Sequence, residues 1–292
     1  MSAPLRVGYV PEHFSTPLYF ARRYHHLAAS LTPFPSGTGH MVEALSAGEL
    51  DVAIGLTEGW VAALGKAQQE SRRPAFRLVG TYVETPLCWA ISTGARRQFS
   101  SVEQLRGAKV GVSRIGSGSH IMSYVLADAH GWLPAPGGAP FDVVPLGTFE
   151  KLRAGVNDGS ADFFMWEHFT SKRYYDNGDI KRVGEIYTPW SSWKIVASTS
   201  VGEGSEELKA LLQAVNGGIE YFDAHHDEAV EYISQHLDYS VADAREWLTT
   251  VRFPRDVRSV SEDVVDKTVD VLRIAGVLGD AANARDMIGV SR

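Results

Sequence analysis

The sequence predicts an α/β protein built as two similar lobes, on three observations. Strand and helix signals alternate along the chain, which favours layered sheets with mainly parallel strands. A Gly-x-x-Asp motif followed by an apolar strand and an acid occurs twice, as Gly48-Glu49-Leu50-Asp51-Val52-Ala53-Ile54 leading to Glu58 and as Gly159-Ser160-Ala161-Asp162-Phe163-Phe164-Met165-Trp166-Glu167. Two further apolar strands, Pro86 to Ser92 and Ser192 to Ser198, are alike in pattern.

Taken in order, Arg6 to Val10 reads as a short strand closed by Pro11, with a helix over Pro17 to Leu27 behind it. The turn Gly37-Thr38-Gly39-His40 opens a helix, Met41 to Ala47, that Gly48 stops. Asp51 to Gly55 is a buried strand running into a polar loop, Thr57-Glu58-Gly59. The same grammar returns at Lys109 to Ser113, a strand, and at Gly116-Ser117-Gly118-Ser119-His120, a turn opening the helix Ile121 to His130. If the two like strands each cross between lobes, they form a hinge. Lobe one is then residues 1–92 and 189–292, discontinuous in sequence, and lobe two is the insertion 93–188. Past Gly204, Glu206 to His225, Asp227 to Leu237, Ala242 to Val251 and Asp263 to Ile274 have the pattern of amphipathic helices and are expected to cap lobe one. Pro134 to Pro140 reads as a surface loop.

Composition removes several classes of function. The 292 residues are 44% hydrophobic and 22% charged, enough for two cored domains. A net charge of −7 leaves no basic face for nucleic acid. No apolar run approaches the roughly 20 residues of a membrane span. The N-terminus lacks the pattern of an export signal, and the single cysteine, Cys88, cannot form an internal disulfide. A cytoplasmic location is expected.

Val7-Gly8-Tyr9-Val10-Pro11, Gly37-Thr38-Gly39, Leu45-Ser46-Ala47-Gly48-Glu49-Leu50-Asp51-Val52-Ala53-Ile54 and Leu105-Arg106-Gly107-Ala108-Lys109-Val110-Gly111-Val112 together resemble the type-2 periplasmic substrate-binding proteins. The likeness spans about residues 5 to 200. It points to the binders of sulfonates, nitrate and thiamine-pyrimidine precursors, with their cytosolic, leaderless relatives. The resemblance implies two lobes joined by paired hinge strands, with a ligand in the cleft between them.

Candidate ligand contacts follow from the helix starts and strand ends. A Gly/Ser turn opening a helix supplies N–H donors and the positive end of the helix dipole, which suits phosphate, sulfonate or carboxylate. Gly116, Ser117, Gly118, Ser119 and His120 fit that role, with Arg114 beside them as a bidentate donor. Gly37, Thr38, Gly39 and His40 form the matching turn in lobe one. The bland alternative is that Ser117, Ser119 or Thr38 is an ordinary cap. Ligands of open α/β sheets sit outside the carboxyl ends of strands, which adds Glu12, His13, Thr57, Glu58, Trp166 and Glu167. Their carboxylates and aromatic faces suit an amino-bearing heteroaromatic ligand.

Catalytic signatures are missing. The chain has no Gly-x-Ser-x-Gly elbow, no His-Glu-x-x-His and no phosphate-loop lysine. The pairs His25-His26 and His225-His226 point in different directions on their helices, so neither a metal nor a cofactor is expected. The expected function is a binding protein for a small anionic or zwitterionic metabolite, phosphate- or sulfonate-bearing or pyrimidine-like. The alternatives are a lyase or biosynthetic enzyme of similar fold acting through an acid such as Glu12 or Glu167, and a ligand-dependent regulatory module. The yeast-type thiamine-pyrimidine synthases that resemble this fold carry a cysteine-rich iron-binding segment, which a chain with Cys88 alone does not have.

Overall fold

A computed structural model describes residues 4–134, 138–202 and 204–289. Part of the expected loop Pro134 to Pro140 and residues 1–3 lie outside the described residues. The chain forms two compact units. The first holds residues up to Thr85, Trp190–Val269 and those from Leu278 onward; the second holds Pro86–Pro189 and Asp270–Val277.

The sheet of the first unit contains β1 (Leu5–Tyr9), β2 (Ala29–Pro33), β3 (Val52–Leu56), β4 (Phe76–Val83) and, from late in the chain, β10 (Trp193–Ser198), in the spatial order β2-β1-β3-β10-β4. β1 is parallel to β2 and β3, while β10 lies antiparallel to both β3 and β4. Helices α1 (Thr16–Tyr24), α2 (Thr38–Ser46) and α3 (Thr57–Gln69) follow the first three strands as crossovers, as parallel neighbours require. β4 is buried along its whole length, as expected of a strand covered on both faces.

The second unit repeats the arrangement. Its sheet is β7-β6-β8-β5-β9, from β5 (Cys88–Gly94), β6 (Lys109–Val112), β7 (Asp142–Pro145), β8 (Phe163–Glu167) and β9 (Ile180–Tyr187). β6 is parallel to β7 and β8, and β5 is antiparallel to β8 and β9. Helices α4 (Gly118–Ala129), α5 (Phe149–Asp158) and α6 (His168–Asp176) complete it. Leu152, Val156, Ala161, Phe164 and Ile180 form a buried cluster under α5.

Several details differ from the sequence reading. Residues 86–92 belong to the second unit because β5 finds its backbone partners on β8 and β9, so the boundaries expected at 92/93 and 188/189 fall at 85/86 and 189/190. The polar loop expected at Thr57-Glu58-Gly59 is the first turn of α3, because Thr57 donates its N–H to the Ser192 carbonyl and its hydroxyl to that of Ser191. The C-terminal helices α7 (Glu206–Ala224), α8 (His226–His236) and α9 (Val241–Leu248) belong to the first unit, whereas α10 (Glu262–Ile274) divides between the units at Asp270. α7 lies close on α1, where a Cβ on Gly218 would stand 2.2 Å from the Pro17 carbonyl oxygen. Among the described residues, no helix is long and apolar enough to cross a membrane.

Candidate functional site

In the first unit, the starts of α2 and α3 meet at the carboxyl end of β3. Thr38 accepts the Leu56 N–H through Oγ1 at 2.9 Å, tying the start of α2 to the last residue of the strand. Gly55 makes this approach possible. A Cβ there would fall 2.7 Å from Thr38 Oγ1, 2.8 Å from Trp60 Cζ2 and 3.0 Å from Met41 Cε. Gly55→Ala is expected to cost roughly 1 to 3 kcal/mol through overpacking, read as a lower urea midpoint with unchanged slope. Of the remaining residues of that turn, Gly37 takes a positive φ of 77°, Gly39 is half-buried and His40 is exposed with its ring edge-on to Phe34.

Glu58, in the first turn of α3, is wholly buried and accepts the Trp190 indole N–H through Oε2 at 3.1 Å. Its other oxygen, Oε1, is buried with no hydrogen-bond partner among the described residues. Burial pushes this carboxyl up to about 7, against the opposing effect of its own backbone N–H and the Trp190 N–H. A raised folded value means that stability is full below the unfolded value and falls as pH climbs through about 7. Glu58→Gln is therefore expected to match the wild type near pH 4 and to exceed it by up to about 3 kcal/mol at pH 8. The difference between the urea-unfolding curves of the two proteins across that range isolates Glu58.

Glu12 is half-buried, and its carbonyl accepts both the N–H and the hydroxyl of Ser15. His13 is enclosed by Phe14, Tyr239 and Trp247, each with its ring centre 4.4 Å away, and burial lowers its imidazole well below the usual range. The sequence reading missed Lys194. This lysine stands in β10 opposite Gly55 and Thr81, 1% exposed, and its Nζ donates to Ser191 Oγ. Burial lowers its ammonium to about 7, partly offset by the charge of Glu84.

In the second unit, the turn after β6 is wired through its own side chains. Ser117 caps α4, donating its hydroxyl to the Arg114 carbonyl at 2.7 Å and standing 3.0 Å from the Ser119 hydroxyl. Ser119 Oγ in turn accepts the Ser113 N–H at 3.1 Å. His120 Nδ1 accepts the Gly116 N–H at 3.1 Å, and burial lowers this imidazole too. The hydroxyls are thus committed to holding the turn, while the N–H groups of Gly118 and Ser119 have no carbonyl of their own helix to meet. Arg114 is exposed beside them.

At the end of β8, Glu167 is buried and caps its own helix, accepting the Thr170 N–H at 2.6 Å. Burial raises its carboxyl to about 7, opposed by the N–H groups of Thr170 and Phe169. Trp166 stacks on Phe149 at 5.0 Å. The candidates therefore gather into two sets within their own units: Thr38, Thr57, Glu58 and Lys194 at the end of β3, and residues 114–120 with Glu167 at the ends of β6 and β8.

The fold has known counterparts. A solved structure of the conserved Candida albicans CA3427 gene product, which defines a family of proteins with the generic periplasmic binding protein fold, is 43% identical to this chain. The match covers 95% of this chain and 91% of that one, with a TM-score of 0.83. The chain belongs to the Ca3427-like family. A family model described as Ca3427-like PBP also matches residues 89–186. More distant from this Ca3427-like protein is the alkanesulfonate-binding protein SsuA of Xanthomonas axonopodis pv. citri, bound to MOPS. It is 16% identical, with 98% of both chains covered and a TM-score of 0.78. The nitrate-binding protein NrtA of Synechocystis PCC 6803 is 12% identical, covering 97% of this chain and 84% of its own, with a TM-score of 0.69. At these identities the last two show the fold alone. No curated protein matches the chain.

Proposed function

We propose that this protein binds a small anionic or amino-bearing heteroaromatic metabolite and that the start of α4 takes its acidic group. The single observation that carries this reading is the self-wired turn Ser113–His120, in which the Ser117 and Ser119 hydroxyls and His120 Nδ1 fix the backbone. A helix start held in this way presents N–H donors and a positive dipole without reorganisation. Within the first unit, Lys194 and Glu58 are a separate set of groups suited to a ligand of this chemistry. The lysine suits an anionic oxygen, and the unpartnered Glu58 Oε1 suits a ring or amino N–H. That SsuA is bound to MOPS and NrtA is a nitrate-binding protein agrees with an anionic ligand.

The proposed compartment is the cytoplasm, in keeping with Cys88 as a free thiol. Native mass spectrometry of the protein purified from its own host tests the ligand class. The expected result is a retained small molecule bearing a phosphate, sulfonate or carboxylate, released unchanged. A retained small molecule that is an organic cation, or one without an acidic group, would overturn the reading.

A further inference from the structure

A second ligand-bearing cluster lies in the second unit and belongs to neither set described above. Cys88 opens β5, Glu185 lies in β9 and His168 begins α6. In the β5–β9 register Cys88 faces Tyr187 and Ala90 faces Glu185, so Cys88 and Glu185 are diagonal neighbours on one face of the sheet. The thiol stands 3.5 Å from Glu185 Oε2. One ligand atom from each of Cys88, His168 and Glu185 lies within 4.8 Å of the other two.

We propose that Cys88, His168 and Glu185 form a binding site for a zinc-class divalent cation, with a fourth position open to water or to an anion. Sulfur, imidazole nitrogen and carboxylate oxygen together are the donor set of a borderline-soft ion; magnesium and calcium take oxygen alone. Three donors around a tetrahedral zinc stand about 3.3 to 3.8 Å apart. Capture therefore asks the widest separation to close by no more than about 1.5 Å. As the Sγ–metal bond forms, Cys88 gives its proton to solvent. Without a cation, burial and the Glu185 and Glu167 carboxylates hold the thiol up at about 12, opposed by the Tyr187 hydroxyl.

Glu185 is also held by Arg182, in an ion pair whose side chains are each 38% exposed, and accepts the Tyr187 hydroxyl through Oε1 at 3.5 Å. Pairs of that exposure are worth at most about 1 kcal/mol, so the ion displaces Arg182 at little cost. The site was not legible in the sequence because its three ligands come from three elements 97 residues apart at the widest. The proposal stands apart from the anion-binding reading and sets aside the expectation that no metal binds.

Titration of the full-length, chelator-treated protein with Co2+ tests it. The expected result is one cobalt per chain, with a thiolate-to-cobalt charge-transfer band in the near ultraviolet and intense tetrahedral d–d bands. Cys88→Ser removes the charge-transfer band. His168→Ala and Glu185→Gln keep Cys88 but weaken binding at least about tenfold, since even outer-shell changes cost that much. Glu185 is exposed, so its variant tests the site without disturbing the core, and a circular dichroism spectrum confirms that each variant folds. The proposal is overturned if no charge-transfer band forms, or if affinity is unchanged in both His168→Ala and Glu185→Gln.

Discussion

Replacing Lys194 by methionine is expected to raise the unfolding free energy at pH 7 by roughly 2 to 4 kcal/mol, while weakening the binding of an anionic ligand. The lysine is 1% exposed in β10, where burial lowers its ammonium from the usual 10.5 to about 7. Between those values the unfolded chain binds a proton that the folded chain does not, so stability rises with pH through that window. Below about pH 7 the folded protein carries a buried charge and bears the full penalty. Methionine has a similar length and no charge, so its advantage is largest at and below neutrality and vanishes near pH 10.5. The cost of the replacement is the Nζ bond to Ser191 Oγ. Chemical denaturation of both proteins between pH 6 and pH 10 reads the difference, and a Lys194→Met protein that is no more stable at pH 6 than at pH 10, relative to wild type, contradicts this account. A buried lysine that destabilises its own fold is what a binding site retains.

Much of the architecture was legible in sequence. The Gly-x-x-Asp repeat falls at the entry to β3 and β8, because Asp51 and Asp162 each accept a backbone N–H, from Arg6 and Lys109, across to the adjacent parallel strand. That role gives the same residue at the same place in both sheets. The sheet edges were less visible. Ala29–Pro33 and Asp142–Pro145 are short and partly exposed, so they carry no apolar signature. Ile180–Tyr187 is an edge strand with consecutive charged residues, Lys181 and Arg182, and a register shift against β5, so it has no clean alternation.

The site was legible in part. Glycine and serine density marked residues 116–120, and the structure adds the serine network that makes the turn rigid. Sequence pointed to Thr57 and Glu58 but gave them a loop, since nothing in the motif itself shows that Ser191 and Ser192, more than 130 residues later, supply the carbonyls that start α3. His13 had the right place after β1, yet three aromatic rings enclose it, two of them from Tyr239 and Trp247 in the C-terminal segment. Lys194 had a signal that went unused: a lysine inside an otherwise apolar strand, Ser192 to Ser198, is either paired or functional.

The start of α4 is tested most directly by Ser117→Asp. Aspartate caps a helix as well as serine does and is favoured by the dipole, so the α4 start is retained, while the bond that the Ser117 hydroxyl donates to the Arg114 carbonyl is lost at a cost of about 1 kcal/mol. The carboxylate, however, places a negative charge where the acidic group of the ligand would sit, and like charges brought together at a binding surface cost several kcal/mol. Calorimetric titration of wild type and Ser117→Asp with the molecule recovered by native mass spectrometry is the measurement. The predicted result is an affinity at least about 100-fold lower with an unfolding free energy lower by only about 1 kcal/mol; equal affinity in the two proteins would contradict the account.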